Sequence, residues 1–292
     1  METVTDTRAY EELAGDPKER RRLYTTLVRE YYAFSTELYR AAWGQSHHFP
    51  PFMGGESRAE AMAAAERSIA DRGGFGPGTA VLEVGSGVGG PAVTIAAHSG
   101  AHVTGLDLVE HRVEYAREHA AAQGMSHLTD FRTGDATHMP FPDGSFDAVY
   151  SIQAICHAPD KARVHAEAAR VLKPGGVYLG SDWFQADGLT PEQQERHVEP
   201  VCQGLALPVL SSPAALGADL AAAGLVVEDL HDLGEDGDLE PNWREMEELM
   251  AAVPREDMTP LLAFMERAGT ALCEAARAGA FVICCWTARK PS

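Results

Sequence analysis

The strongest indication of the fold is the sequence AVLEVGSGVGG, from Ala80 to Gly90. A compact apolar run ends at Val84 and passes directly into a glycine-rich turn, and a helical pattern follows from Gly89 to His98. This order predicts a strand, a tight turn and a helix, with the glycines at the carboxyl edge of a sheet, where open α/β folds bind ligands. Glycine suits the turn because the backbone must bend sharply and let a ligand approach the chain itself.

Short apolar runs and helical stretches keep alternating after that turn. Further strands are predicted at His102–Leu106, Leu128–Arg132, Phe146–Ile152, Gly176–Ser181, Leu225–Leu230 and Ala280–Trp286. Helices are predicted at Val109–Gln123, Asp160–Leu172, from Pro191, and at Pro213–Ala223, Trp243–Ala252 and Met258–Ala278. This alternation is typical of βαβ units, so we predict an α/β fold with a Rossmann-like, doubly wound, seven-stranded sheet. The acidic segment Gly234–Glu240 is expected to be a solvated turn.

The chain before the first strand has a helical and aromatic character. Asp16 is a predicted N-cap with Pro17 in the first turn and Glu19 placed for a capping box, and apolar residues at spacings of three and four predict one helix to about Ala42. An aromatic loop, a helix and a glycine-rich linker follow at Gln45–Gly55, Arg58–Asp71 and Gly73–Gly78. We therefore expect an N-terminal helical, aromatic lid over residues 1–75, and a sheet domain over 76–292 with a helical insertion at about 234–279.

Composition excludes several classes of protein. The 292 residues are 45% hydrophobic, enough for a sizeable core, and carry 24 basic and 43 acidic side chains, for a net charge of −19. An acidic surface repels nucleic acids and anionic membranes. The five cysteines show no C-x-x-C spacing, Met1–Asp16 is polar, and no window of eighteen residues is uninterruptedly apolar. We expect a cytoplasmic protein with free thiols and no metal site, since neighbouring side chains such as His47 and His48 diverge.

An acidic residue follows the glycine turn at the distance that a nucleoside-binding site requires. Asp107 ends the second predicted strand about twenty residues later, where its carboxylate can accept hydrogen bonds from ribose hydroxyls. Asp135 and Ala136 close the third strand, where they can read an adenine. The alternative is a tight strand-to-helix turn with a solvated aspartate. A second Gly-rich turn, from Leu172 to Gly176, leads into the fifth strand.

Together these motifs resemble the class I S-adenosylmethionine (SAM) methyltransferases over roughly Thr79–Gly180. The resemblance implies SAM as cofactor and S-adenosylhomocysteine (SAH) as product, with methyl transfer that requires no metal. It further implies a set of cofactor-binding residues: Gly85, Ser86, Gly87, Asp107, Leu108, Asp135, Ala136 and Gln153.

Two further stretches resemble the C-methyltransferases that act on sterol side chains, namely YRAAWGQSHHF from Tyr39 to Phe49 and YSIQAICHAP from Tyr150 to Pro159. That family methylates an alkene, and aromatic faces can stabilise the resulting carbocation. The resemblance, with the positions of these side chains, suggests a set of substrate-binding residues: Tyr31, Tyr32, Tyr39, Trp43, His48, Phe49, Asp182 and Trp183.

One position departs from the family pattern, because Gln153 stands where the family has a glutamate and an amide is not a useful base. His157 is the predicted replacement, with an unperturbed pKa suited to neutral pH, while the alternative is a histidine that only holds its loop. We therefore assign His157 and Gln153 as the candidate catalytic residues. For each aromatic residue of the lid, the alternative is ordinary core packing.

The resulting hypothesis is a C-methyltransferase that methylates an alkene of a prenyl or terpenoid small molecule, after which the cation is deprotonated or cyclises. Abundant Ala, Gly and Arg are typical of high-GC bacteria, where sterols are rare, so secondary metabolism is the expected setting, as in teleocidin-type indole alkaloids. The alternatives are an O- or N-methyltransferase of a polar small molecule and a non-catalytic cofactor-binding scaffold. The long N-terminal helix with its aromatic residues favours a homo-oligomer.

Overall fold

A computed structural model describes residues 7–292, with side chains described from Tyr10 onward. These residues form a seven-stranded sheet of order β3-β2-β1-β4-β5-β7-β6. The strands are β1 Ala80–Val84, β2 His102–Asp107, β3 Thr129–Thr133, β4 Phe146–Ile152, β5 Leu172–Gln185, β6 Val226–Asp232 and β7 Phe281–Arg289. The predicted α/β sheet is confirmed. Successive strands are added to one side of β1 up to β3 and then to its other side from β4. Folds of this kind bind ligands at the point between β1 and β4 where this order reverses.

Helices cover both faces of the sheet and one of its edges. They are α1 Thr7–Gly15, α2 Pro17–Arg22, α3 Tyr24–Trp43, α4 Arg58–Gly73, α5 Gly90–Ser99, α6 Glu110–Ala122, α7 Lys161–Val171, α8 Pro191–Gln193, α9 Glu199–Gly204, α10 Pro213–Ala222, α11 Glu240–Ala251 and α12 Pro260–Arg277. A π-helical turn at Gln194–Val198 joins α8 to α9. The helices α11 and α12 lie between β6 and β7 in the chain. The boundary at residue 75 between an N-terminal lid and a sheet domain stays a proposal.

Two details of the sheet differ from the predictions. The last strand, β7, runs antiparallel to both β5 and β6, whereas the alternation of strands and helices predicted parallel units only. The segment Leu172–Gly176, predicted as a turn, belongs to β5: it pairs with β4 through a register shift between Phe146 and Ala148. Hydrogen bonds to β4 on one side and β7 on the other extend this strand beyond its apolar run, and local sequence does not report such pairing.

The N-terminal helices also depart from the predicted single helix. The helix α1 was not predicted, and the helix expected from Asp16 breaks at Leu23 into α2 and α3. Asp16 does cap α2 by accepting a hydrogen bond from the Lys18 amide at 2.8 Å. Glu19 pairs with Arg22 rather than completing a capping box. Arg20 is buried and donates two 2.8 Å hydrogen bonds to Glu199, which ties α2 to α9.

An apolar cluster joins the N-terminal helices to α9, α11 and α12. Tyr10 and Tyr31 lie in this cluster with Phe264 and Leu272, and the Tyr10 and Phe264 rings meet edge to face at 5.3 Å. The N-terminal helices are thereby fixed beside the carboxyl ends of the central strands. All five cysteines are buried and unpaired. No described helix is long and apolar enough to span a membrane, and the prediction for Met1–Asp16 falls partly outside the described residues.

Candidate active site

A cavity of about 400 Å³ opens at the carboxyl ends of β1, β2 and β4 and is closed from above by α3 and the loop at residues 45–55. It brings together every predicted site residue except Asp182, and these are Tyr31, Tyr32, Tyr39, Trp43, His48, Phe49, Gly85, Ser86, Gly87, Asp107, Leu108, Asp135, Ala136, Gln153, His157 and Trp183. Residues from the lid and the sheet therefore share one chamber.

The glycine turn and Asp107 form a single hydrogen-bonded unit. Gly85 and Gly87 adopt φ values of +81° and +55°, which glycine reaches without strain. The Asp107 carboxylate is buried, and it accepts hydrogen bonds from the Gly87 amide at 2.8 Å and from the Val109 amide at 2.9 Å. Each oxygen retains a lone pair for a ligand, as recognition of a ribose requires.

Two charged side chains that sequence reasoning missed flank this turn. Glu83 is buried, its Oε2 has no hydrogen-bond partner among the described residues, and burial raises its pKa well above the usual range. The Arg112 guanidinium lies 3.9 Å from the centroid of the Tyr32 ring, and its Nε is likewise buried without a described partner. A buried carboxyl group that ionises only beside a cation and a buried guanidinium group suit a zwitterionic ligand, because each charge needs a counterion. The methionine group of SAM has this character, so the site fits that cofactor.

The opposite end of the cofactor site is built by Asp135. One oxygen of this carboxylate accepts hydrogen bonds from the Thr137 amide at 2.8 Å and from the Thr137 hydroxyl at 2.7 Å. The other accepts from the Tyr24 hydroxyl, at the first residue of α3, and burial raises the pKa of Tyr24 to about 12. The lid helix thus contacts the residue predicted to read the adenine.

Gln153 lines the cavity and holds the aromatic loop. Its Oε1 accepts hydrogen bonds from the Phe49 amide at 2.9 Å and the Trp183 indole at 2.8 Å, and its Nε2 donates to the Phe49 carbonyl at 3.0 Å. The Phe49 and Trp183 rings are stacked at 5.5 Å as a result. These contacts connect residues 104 and 30 positions apart, which no local pattern reveals.

We expect Gln153→Glu to weaken binding of the acceptor more than binding of the cofactor. A carboxylate would face the Phe49 carbonyl without a hydrogen to donate, and a buried unmatched acceptor costs about 1–3 kcal/mol. That range corresponds to roughly a 5- to 150-fold rise in the KM for the acceptor. Steady-state kinetics would measure it, with SAH affinity by calorimetry as the control. Equal losses in both quantities would contradict this role for Gln153.

His157 and Tyr32 form a hydrogen-bonded pair in the middle of the cavity. His157 Nδ1 lies 3.4 Å from the Ala206 carbonyl oxygen, which can only accept, so Nδ1 carries the proton. Nε2 is then free to accept the hydrogen bond from the Tyr32 hydroxyl, at 2.9 Å. Burial lowers the pKa of His157 to about 4, so the imidazole is neutral at pH 7 but a weaker base than its ordinary pKa suggests. The hydroxyl groups of Tyr31 and Tyr39 form a hydrogen bond with each other beside this pair.

The two adjacent histidines of the loop diverge, as predicted. His47 bonds to the Gly44 carbonyl, and burial lowers its pKa to about 3. His48 is buried and lies 3.1 Å from Oε1 of Glu66 on α4, a partner that the sequence did not indicate.

Elsewhere in the described residues, at the β6–β7 edge outside the cavity, the donor atoms of His231, Asp236 and Cys285 lie within 4.8 Å of one another.

Asp182 was predicted to contact the substrate, but it does not line the cavity. Its carboxylate accepts hydrogen bonds from the backbone amides of Cys156 at 2.9 Å and Trp183 at 2.7 Å. Side chains alternate along a strand, so Trp183 faces the chamber while Asp182 points behind it. There Asp182 supports the turn that carries His157, and burial raises its pKa to about 6.

Comparison with known proteins agrees with this geometry. Residues 82–180 match the family described as "Methyltransferase domain". The chain is 46% identical to sterol 24-C-methyltransferase ERG6B of Gibberella zeae over 180 residues, which are 62% of this chain and 47% of that protein. It is 39% identical to 24-methylenesterol C-methyltransferase 2 of Arabidopsis thaliana over 220 residues, or 74% of this chain and 60% of that protein. The match thus spans about half the length of these relatives.

A solved structure shares the fold. The crystal structure of geranyl diphosphate C-methyltransferase from Streptomyces coelicolor A3(2) superposes with a TM-score of 0.72 at 20% identity, over 91% of this chain and 97% of that chain. At that identity the likeness concerns the fold alone. Residues 82–180 thus form a methyltransferase domain, and the sheet order and the glycine turn agree with those of the class I SAM-dependent methyltransferases. Within that class, its sequence is similar to the sterol C-methyltransferases.

Proposed function

We propose that this protein transfers the methyl group of SAM to an alkene carbon in a prenyl or terpenoid group of a neutral small molecule. The observation that carries the proposal is the single chamber that six aromatic side chains, besides Tyr24 beside Asp135, share with the glycine turn. They are Tyr31, Tyr32, Tyr39, Trp43, Phe49 and Trp183. Ring faces attract cations, and an alkene that gains a methyl group becomes a carbocation. A prenylated indole of the teleocidin type is one acceptor of this class.

Different residues of the site would bind different parts of SAM. Glu83 and Arg112 would hold the methionine charges, Asp107 the ribose and Asp135 with Ala136 the adenine. When bound, SAM supplies an electrophilic methyl group. The aromatic walls exclude water and hold the alkene in line, which is the main requirement of such a transfer.

The Tyr32–His157 pair provides a path for the proton that the cation must lose. His157 Nε2 already accepts the Tyr32 hydrogen, so the acceptor's proton would reach Tyr32 Oη as the hydroxyl proton moves to Nε2. The electron pair of the broken C–H bond forms the new double bond. The Nδ1–H of His157 stays hydrogen-bonded to the Ala206 carbonyl. Where the cation first cyclises, the same pair would take the proton from the cyclised product.

The charges around the chamber favour a neutral acceptor over a diphosphate. Two guanidinium groups line the cavity, those of Arg58 and Arg112. Arg58 is bound to Glu245 at 2.9 Å and to Asn242 at 3.0 Å, which leaves Arg112 beside the cofactor site. Binding a diphosphate would require more cations than that, or a metal with its ligands.

Methyl transfer from isotopically labelled SAM would test the proposal. The acceptors would be a prenylated indole, a sterol, geranyl diphosphate and a phenol, with products identified by mass spectrometry and NMR. We expect a product heavier by one CH₂ unit, labelled at carbon, from the prenylated indole or the sterol. Its ring count would report whether the cation cyclised.

Other outcomes would support the alternative functions. Label on oxygen or nitrogen would replace the proposal by an O- or N-methyltransferase. Tight SAH binding without transfer to any acceptor would favour a non-catalytic scaffold.

We also propose that the protein forms a homo-oligomer, and sedimentation equilibrium of the protein would test this proposal.

A further inference from the structure

One wall of the cavity is made of flexible apolar side chains. It is formed by α11, α12 and the segment between them, and four of the nine methionines of the sequence line it. These are Met246, Met250, Met258 and Met265. Methionine is unbranched and polarisable, so a surface made of it adapts to the shape of what it contacts. We refer to these four residues as the methionine wall.

A glycine that also lines the cavity lies beside this wall. Gly269 is buried in the middle of α12, where glycine is a poor helix former. A Cβ atom at this position would lie 2.7 Å from Met250 Sδ and 3.1 Å from Met246 Sδ. The absent side chain therefore leaves both thioethers the space that they occupy in this wall.

Recognition at this wall is by volume rather than by hydrogen bonds. The remaining lining side chains are mostly apolar, including Leu249, Val253, Leu262 and Leu272. The acidic residue among them, Glu266, is paired with Arg255 at 2.9 Å. An acceptor that reaches this wall should present an apolar end to it.

We propose that the methionine wall receives an apolar tail of the acceptor, and that Gly269 sets how deep the tail can go. This inference rests on the proposed function for the identity of the acceptor, but it is a statement about binding. It deepens that function, since it makes tail length the property by which acceptors are selected. A larger residue at 269 would push Met246 and Met250 into the chamber and shorten it.

A ladder of alkyldimethylamines from hexyl to hexadecyl would test the inference by calorimetry on the SAH-saturated protein. Their ammonium head suits the aromatic chamber, and their tails differ only in length. In the unchanged protein we expect affinity to rise by up to about fourfold per methylene until the tail fills the wall. We call the tail length at which affinity stops rising the plateau. Gly269→Ala should move the plateau to a shorter tail and weaken binding of the longest amines by about tenfold, while the affinity for the hexyl amine stays the same.

Two variants separate a shorter pocket from general damage. Gly217→Ala is the matched control, because Gly217 is also inside a helix but its Cβ would meet Leu230 at an ordinary 3.5 Å. It should leave the ladder unchanged. Adding Met250→Ala to Gly269→Ala should restore the longer plateau. A plateau that Gly269→Ala does not move, or that Gly217→Ala moves equally, would overturn the inference. A plateau that moves as expected, with no methyl transfer to any alkene, would instead count against the proposed function alone.

Discussion

Replacing Asp107 by asparagine is expected to weaken SAH binding by about 100-fold or more, although the two side chains have the same shape. Both carboxylate oxygens accept hydrogen bonds from backbone amides, those of Gly87 and Val109. An asparagine must turn its NH₂ group toward one of these donors, whichever way the amide is flipped. A buried charged hydrogen bond lost in this way costs on the order of 3 kcal/mol, and the displaced turn also loses its fit to the ribose.

Isothermal titration with SAH measures this effect directly and needs no acceptor. Asp130→Asn is the matched control, because Asp130 lies on the neighbouring strand β3 with its carboxylate paired to Arg132 at the surface. It should bind SAH as the unchanged protein does. A Kd for Asp107→Asn within about threefold of the unchanged value would show that Asp107 does not organise the cofactor site.

Replacing His157 by alanine is expected to lower the rate of product formation by about 100- to 1,000-fold, within the range of a lost general base. SAH affinity should be largely retained, since the hydrogen bonds of His157 go to Tyr32 and Ala206 and not to a residue assigned to the cofactor. Tyr32→Phe should lower the rate comparably, because it removes the oxygen that would receive the proton first. Single-turnover rates with the acceptor found by the labelling experiment would measure both.

The pH dependence distinguishes this base from an ordinary histidine. The neutral imidazole is the active form, and burial lowers the pKa of His157 from 6.5 to about 4. The rate should therefore stay level from neutral pH down to about pH 5 and fall only near pH 4. The folded state also loses stability as the pH drops from 6.5 toward 4, because the unfolded protein binds this proton more readily. Circular dichroism at each pH would show that the protein is still folded.

Two results would exclude this mechanism. One is a rate that begins to fall near pH 6.5, the ordinary pKa of a histidine, which would indicate an exposed imidazole. The other is unchanged turnover in His157→Ala, which would leave the proton to another acceptor. His127→Ala serves as the surface control, because His127 is exposed and bonds only to the Gly124 carbonyl.

Most of the cofactor site could be predicted because its signals are local. Gly85, Asp107 and Asp135 each lie at or just beyond the end of a strand, and parallel strands bring their carboxyl ends to one edge. Once the strands are recognised, these residues must converge. The same reasoning failed for Asp182, since facing the right edge does not decide on which side of the strand a carboxylate lies.

The strands and their order of appearance, the glycine turn with its acidic partner and the aromatic segment ahead of them were readable from the sequence, because a run of about ten residues carries each signal; the antiparallel direction of β7 was not. The positions of the aromatic side chains around the cavity came only from packing. Packing joined Gln153 to Phe49, buried Glu83, lowered the pKa of His157 and set Gly269 against Met250. These features depend on burial and on contacts between distant parts of the sequence, and both arise only when the protein packs.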